Sequence, residues 1–403
     1  MPSWLRSLSP YPQSCYNCLM MTLFPPGIIG VIGGGQLGRM MIYRSKKLGF
    51  RFSVLDGKDA PAKVLADSFI EGSLKDADAL ERLAGVSDVL TYEIEHINTD
   101  ALEKLYERGV PMYPSPAVLR VIQDKLLQKE LFIKKGIPTA AFFAENNPAA
   151  ADFSLRKFPL VQKARRDGYD GRGVRVMRNA SDEPMPAPSI FEDMVDIDKE
   201  LAVMVARGRD GSLAVFPVTE MAFNPDHNIC DTVIAPARID EKTAAAAREI
   251  AVSVVQALDG VGIFGVELFL DKRGRVLLNE VAPRPHNSGH YTMEACVTCQ
   301  FEQHVRALSG LPLGDTTLLR PAVMLNLLGQ SGSSGPVIVG GCEEALQVPG
   351  LSLHLYGKAE TRPFRKMGHY TVTAPTLEEA VERAEYVRAV LKIYGKNKTG
   401  ETE

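Results

Sequence analysis

Much of what marks a chain for a membrane, a nucleic acid or the secretory route is missing from these 403 residues. No apolar run approaches the roughly 20 residues that a bilayer span requires. Basic residues show no excess: 46 Lys and Arg against 49 Asp and Glu leave a formal charge of −3, which excludes the strong positive field of a nucleic-acid or membrane-surface binder. Cysteine is sparse and scattered, at Cys15, Cys18, Cys230, Cys296, Cys299 and Cys342. A long chain that is 45% hydrophobic needs no covalent staples, so these read as reduced, mostly buried thiols of a cytoplasmic enzyme rather than zinc ligands. The first 26 residues lack any periodic pattern, lack the apolar core of a secretory signal, and hold one basic residue, Arg6, too few for a transit peptide. They read as a disordered extension, or as sequence upstream of the true start, with Met20 and Met21 lying just before the ordered pattern begins.

What is present is enough for two or three compact domains. Gly27–Gly38 reads as a buried strand running into a glycine turn, and Arg39–Leu48 continues as a helix. Gly33, Gly35 and Gly38 fit G-x-G-x-x-G, and the next strand ends at Asp56, close to where a dinucleotide-binding fold places its ribose acid. Backbone N–H groups at a helix start welcome any phosphate, so this motif leaves open an oxidoreductase, another phosphate site, or a packing turn. Lys75–Leu83 reads as a helix, Asp88–Tyr92 as a strand, and Thr99–Arg108 as a helix capped by Thr99; this alternation predicts a parallel α/β sheet with ligands at the strand C-termini. Glu93 and Glu95 sit at such an end, as ligands or as solvated turn acids.

Further along, Val121–Gly136 reads as one amphipathic helix carrying Lys125. Lys163 ends a short strand and is followed by Arg165–Gly173, where three glycines and three arginines interleave. A glycine loop bearing cations between two strands suits a lid over a polyphosphate, although a basic hairpin loop has the same composition. Glu192 and Glu200 bracket an acidic turn and could accept hydrogen bonds from a sugar or base edge.

The strongest constellation is Gly262–Glu280, two apolar strands around an Asp-Lys-Arg-Gly turn. Glu267 and Glu280 interrupt core-like runs, and buried carboxylates are expensive unless paired or bound to a cation. Facing each other across an antiparallel ladder, they could share Mg²⁺ through oxygen ligands; a salt bridge to a nearby arginine is the plainer alternative. Directly after them, Val281–His290 holds two prolines that stiffen a loop bearing Arg284, His286, Asn287 and His290, a donor-rich cradle for a small oxyanion.

Together, Lys125 and Lys163, the loop Gly168–Gly173 and the acids Glu267 and Glu280 resemble the ATP-grasp superfamily. Within it, Gly33–Met40, Asn279–Tyr291 and Gly357–His369 resemble the N5-carboxyaminoimidazole ribonucleotide synthase family, over a stretch from about Gly27 to about residue 395. The resemblance implies a cytoplasmic ligase that carboxylates aminoimidazole ribonucleotide with ATP and bicarbonate, through carboxyphosphate, in purine biosynthesis. It implies that Lys125, Lys163, Gly168, Tyr169, Asp170, Gly171, Arg172, Gly173, Glu192, Val195, Glu200, Asn279 and Glu280 meet ATP. Glu267 and Glu280 would bind Mg²⁺, and Arg284, His286 and Asn287 would seat bicarbonate. Tyr169, Asp170 and Arg172 would lie against the ribonucleotide, with its phosphate held by Gly35, Gln36, Leu37, Lys358 and Arg365. A homodimer and functional coupling to a carboxyaminoimidazole ribonucleotide mutase follow from the same likeness. Three positions depart from the family pattern: Asp167 replaces the first glycine of Gly-Gly-Tyr-Asp-Gly, Phe223 stands near a usual histidine, and Phe364 replaces a glycine. The expected architecture is a Rossmann-like parallel α/β domain over 27–122, an ATP-grasp domain over 123–315 with its lid in 123–190, and a small β-rich domain over 316–403 with a terminal helix at Leu377–Leu391.

Overall fold

The protein is seen here as a computed structural model that describes residues 22–166, 168, 173–224 and 229–396. At the N-terminal end, four parallel strands lie in the order Ser68–Glu71, Arg51–Asp56, Ile28–Ile32, Val89–Tyr92. The last three are apolar runs buried along almost their whole length, as strands with both faces covered must be. Helices Gln36–Ser45, Ala77–Ala84 and Thr99–Glu107 connect and cover them.

Two helix starts differ from the sequence reading, both for reasons of capping. Thr99 is not the cap of its helix: Asn98 is, its side chain accepting from the Ala101 N–H at 3.1 Å. The single helix expected over Val121–Gly136 is two, Pro116–Ile122 and Lys125–Lys134, because extended Asp124 breaks the chain and caps the second by accepting from Leu126 N–H at 3.0 Å. That break makes Lys125 a first-turn residue.

The lid subdomain is a four-stranded antiparallel sheet ordered Phe142–Glu145, Ser189–Asp193, Leu160–Ala164, Val174–Met177. The main sheet runs Val276–Ala282, Gly262–Asp271, Ile197–Arg207, Thr219–Asn224, Ile229–Ala235, Ala322–Leu328, Lys366–Thr373, Leu351–Leu355, with Leu213–Val215 as a short ninth strand beside Ile197–Arg207. Helix Glu241–Leu258 packs its alanine and valine face on this sheet. The C-terminal strands Ala322–Leu328, Lys366–Thr373 and Leu351–Leu355 therefore continue the central sheet; a separate three-stranded sheet there is made by Glu360–Thr361, Gly335–Gly340 and Lys392–Gly395. Antiparallel pairing of Thr232 with Leu325 through Ala235 with Ala322 is the seam, so the C-terminal part is held to the middle by a backbone ladder.

Residues 1–21, most of the stretch 1–26 expected to be a disordered extension, lie outside those described, while residues from 22 onward pack on the body of the protein. Leu23 N–H donates to Ser309 O at 2.9 Å, and the Leu23 side chain packs against the core shared by helices Gln36–Ser45 and Gln300–Ser309. Among the described residues no helix is long and apolar enough to cross a membrane.

Candidate active site

The two acids of the central hairpin are register partners, Glu267 opposite Glu280, with a register shift directly after Glu267. Pairing puts both carboxylates on one sheet face, where like charges repel. Burial, then the Glu280 charge, pushes the Glu267 carboxyl well up; the Lys125 ammonium holds Glu280 down. Lys125 Nζ lies 2.9 Å from Glu280 Oε2. From the lid sheet, Lys163 Nζ donates to Asn279 Oδ1 at 2.8 Å and pairs with Glu192 Oε2 at 2.7 Å. Two lysines from different elements thus converge on adjacent residues of one strand. Glu200 belongs to the same group: burial pushes its carboxyl up to about 7, Lys163 opposes that, and Glu280 adds to it.

The end of strand Leu160–Ala164 is tied to this centre by charge. Arg165 Nη2 lies 2.7 Å from Asp124 Oδ2, and Arg166 Nη2 lies 3.4 Å from the same oxygen, so the cap of the Lys125 helix also anchors the lid base. Ala164 N–H donates to Gly173 O at 2.8 Å, closing the loop stem. Gly173 has φ +78°, and a Cβ there would sit 3.3 Å from the Gly168 Cα, a close approach that suits glycine. Asp167, Tyr169, Asp170, Gly171 and Arg172 lie outside the described residues. Val195 is half-buried in the turn after Ser189–Asp193, and Phe223 sits at the register shift in Thr219–Asn224.

The donor-rich loop lies between the hairpin and the parallel sheet. Arg284 Nε is 2.8 Å from Glu95 Oε1, and His286 Nε2 is 3.3 Å from Glu267 Oε1. Asn287 and Asn326 exchange amide hydrogen bonds, 2.8 Å each way. Gln300, fully buried, fixes the loop by accepting from His286 N–H at 2.8 Å and donating to His286 O at 2.9 Å. A cationic guanidinium, an imidazole and an amide, each held from behind, gather hydrogen-bonding groups beside the paired acids.

The glycine turn is built differently from a dinucleotide site. Asp56, the would-be ribose acid, accepts from Gly34 N–H at 2.6 Å and from Gly57 N–H at 2.7 Å. Glu93 is buried, not a solvated turn acid: its carboxylate accepts from Gly35 N–H at 2.6 Å and Gly38 N–H at 2.7 Å, and a Cβ on Gly35 would fall 2.6 Å from Glu93 Oε1. Gly35 therefore has its N–H engaged within the protein, and the remaining first-turn positions are Gln36 and Leu37. Gly357 brings the C-terminal loop to Arg39 of that helix, within 3.8 Å of a Cβ position. The neighbouring Lys358 Nζ donates to Lys366 O at 2.7 Å, and half-buried Arg365 donates from Nη1 to Glu360 O at 2.5 Å. Phe364 holds φ +62°, a left-handed conformation that costs a non-glycine residue about 1 kcal/mol or more.

Burial pushes Glu93 up to about 7 from 4.5. A carboxyl whose pKa is raised on folding stabilises the fold most below pH about 4.5, and that contribution is lost as pH rises towards 7. Glu93→Gln is expected to lower Tm at every pH but to flatten its decline between pH 5 and 7.5, read by thermal melts; an unchanged slope would place the shift elsewhere.

Sequence reasoning missed Lys129, Gln300, Asn326 and Lys366. Lys129 lies one helical turn from Lys125, on the same face, which was the available signal. The Lys366 charge acts on Glu267 and His290, but in sequence it is one more basic residue beside Arg365.

A hairpin with paired acids, lysines from helix and lid, and a glycine-closed lid define an ATP-grasp enzyme. Family models agree: a ribonucleotide synthetase preATP-grasp domain matches residues 27–123, an ATP-grasp domain 130–301, and a phosphoribosylaminoimidazole carboxylase C-terminal domain 322–383. The chain is 39% identical over 374 residues to the N5-carboxyaminoimidazole ribonucleotide synthase of Synechococcus elongatus, covering 90% of this chain and 93% of that one. It is 42% identical over 377 residues to the phosphoribosylaminoimidazole carboxylase of Ogataea methanolica, covering 89% of this chain but 68% of that longer protein. The solved N5-carboxyaminoimidazole ribonucleotide synthetase of Thermotoga maritima superposes with TM-score 0.85 at 51% identity, covering 92% of this chain and all of that one. The Aspergillus clavatus synthase, solved with ADP and 5-aminoimidazole ribonucleotide, superposes with TM-score 0.82 at 37% identity, covering 90% and 98%. The chain belongs to the N5-carboxyaminoimidazole ribonucleotide synthase family.

Proposed function

We propose that this enzyme converts 5-aminoimidazole ribonucleotide, ATP and bicarbonate into N5-carboxyaminoimidazole ribonucleotide, ADP and phosphate, with the residues above in the roles that follow. The observation that carries the assignment is the meeting of Lys125 and Lys163 at Asn279 and Glu280, beside Glu267 and the Arg284–His286–Asn287 loop. Bicarbonate oxygen attacks the γ-phosphorus, ADP leaves, and the carboxyphosphate formed is attacked at carbon by the exocyclic amine. The new C–N bond replaces the bond to phosphate, and the amine gives up a proton. Lys125 and Lys163 hold the polyphosphate as point charges. Glu192, Val195 and Glu200 line the nucleoside end.

Mg²⁺ suits the hairpin: two half-buried acids face each other on one sheet face, with a lysine on Glu280, and oxygen ligands suit a hard cation. Bound there, the ion would neutralise charge on the transferring phosphoryl group. Arg284, His286 and Asn287 orient bicarbonate and the carboxyphosphate carboxylate, and the lid excludes water from a hydrolytically fragile intermediate. Gln36 and Leu37 N–H groups, Lys358 and Arg365 take the ribonucleotide phosphate.

Lys358→Ala is expected to raise the KM for the ribonucleotide by about tenfold, one charge-assisted contact, while the KM for ATP stays put. Steady-state kinetics with each substrate varied in turn reads the split. A rise in the ATP KM instead would move Lys358 to the other ligand.

A further inference from the structure

Behind the polyphosphate lysines lies a buried circuit through Lys163 and Glu192 whose further member, Lys129, has no part in the roles above. Glu192 is 3% exposed and Lys129 4% exposed, so both charges have left water. Lys129 Nζ lies 2.5 Å from Glu192 Oε1, and Lys163 Nζ lies 2.7 Å from Glu192 Oε2. Lys129 also donates to Thr139 Oγ1, whose hydroxyl donates to Leu278 O at 2.8 Å. Leu278 precedes Asn279, whose Oδ1 accepts from Lys163 at 2.8 Å and closes the ring. The ring spans the Lys125–Lys134 helix, the lid sheet and the central hairpin, around a cavity that Phe132 and Ile190 line on its apolar side. Its charge is uneven: two ammonium groups share one carboxylate.

That imbalance has a use if Lys163 must serve two partners in turn. When a phosphate arrives, Lys163 has to give up contact with Glu192 to reach it. A buried carboxylate abandoned by its only cation is strongly unfavourable, and that penalty would be charged against nucleotide binding. With Lys129 already on the other oxygen, Glu192 stays neutralised and Lys163 is released. We propose that Lys129 is a positioning residue, a resident counter-charge that lets Lys163 exchange Glu192 for a nucleotide phosphate. The inference rests on the ATP-binding role proposed for Lys163.

The test is steady-state kinetics on the full chain with ATP, bicarbonate and 5-aminoimidazole ribonucleotide each varied. Lys129→Met is expected to raise the KM for ATP about tenfold or more, with far smaller changes in the other two KM values and in kcat at saturating ATP. Lys129→Arg keeps the charge and is expected to recover most of the ATP affinity. Because Lys129 acts through Glu192, adding Lys129→Met to Glu192→Gln is expected to change the ATP KM by less than about twofold, since no buried carboxylate remains to be neutralised. That comparison stands even if Lys129→Met alone fails to fold. A wild-type ATP KM in Lys129→Met, or equal losses for all substrates with no recovery in Lys129→Arg, would overturn the proposal. A large further effect in the Glu192→Gln background would do the same, by showing that Lys129 meets the nucleotide directly. Failure of the Lys163 assignment is distinguishable, because Lys163→Met would then leave the KM for ATP unchanged.

Discussion

Glu280→Ala is expected to reduce ATP cleavage by about 10³-fold or more, roughly 4 kcal/mol of transition-state stabilisation. Glu280 has two proposed tasks: it shares the cation with Glu267, and it holds Lys125 Nζ at 2.9 Å. Its carboxyl is kept below the ordinary range by that lysine, so it is charged and ready at any working pH. Removing it takes a ligand from the ion and leaves the ammonium of a mostly buried lysine without its partner. Glu280→Gln separates the two, since the amide still accepts from Lys125 but carries no charge for the cation. Phosphate release with Mg²⁺ varied is the readout, with circular dichroism to show that the fold survives. Wild-type turnover in either variant would refute the ligand assignment.

The second large effect is expected at Arg284. Arg284→Met should lower kcat/KM for bicarbonate by about 10² to 10³, the worth of one well-placed oxyanion donor, and leave the KM for ATP unchanged. Glu95, 2.8 Å from Arg284 Nε, aims the guanidinium, so Glu95→Gln should give a smaller loss in the same parameter. Bicarbonate-concentration series on the two variants test this. Equal damage to the ATP and bicarbonate parameters would mean that Arg284 serves the nucleotide.

Much of this site was legible in the sequence because its chemistry conflicts with its surroundings. Glu267 and Glu280 stand out as charges inside apolar strands, and the observed register pairs them. Lys163 is marked by its place between a strand and a glycine loop. The parallel N-terminal sheet follows from apolar runs that alternate with capped helices. Other features were hidden for physical reasons. Glu93 and Glu95 sit two residues apart and look alike in sequence, yet one is swallowed by the glycine turn and the other meets Arg284 of a distant loop. Long-range pairing of that kind leaves no local pattern. Gln300 begins a helix whose composition says only that it packs, and its grip on the His286 backbone comes from the tertiary fold. The helix break at Asp124 was missed because apolar periodicity runs through it; its capping contact, not its hydrophobicity, decides the boundary. The continuous ladder from Ile229–Ala235 to Ala322–Leu328 likewise joins segments that sequence reads as separate domains.

The most direct test of the whole account is phosphate release from ATP in the presence of Mg²⁺ and bicarbonate, with and without 5-aminoimidazole ribonucleotide. The account predicts slow release without the ribonucleotide and strong stimulation by it, with one phosphate formed for each carboxylated product. ATP cleavage indifferent to the ribonucleotide, or no cleavage under any of these conditions, would contradict it.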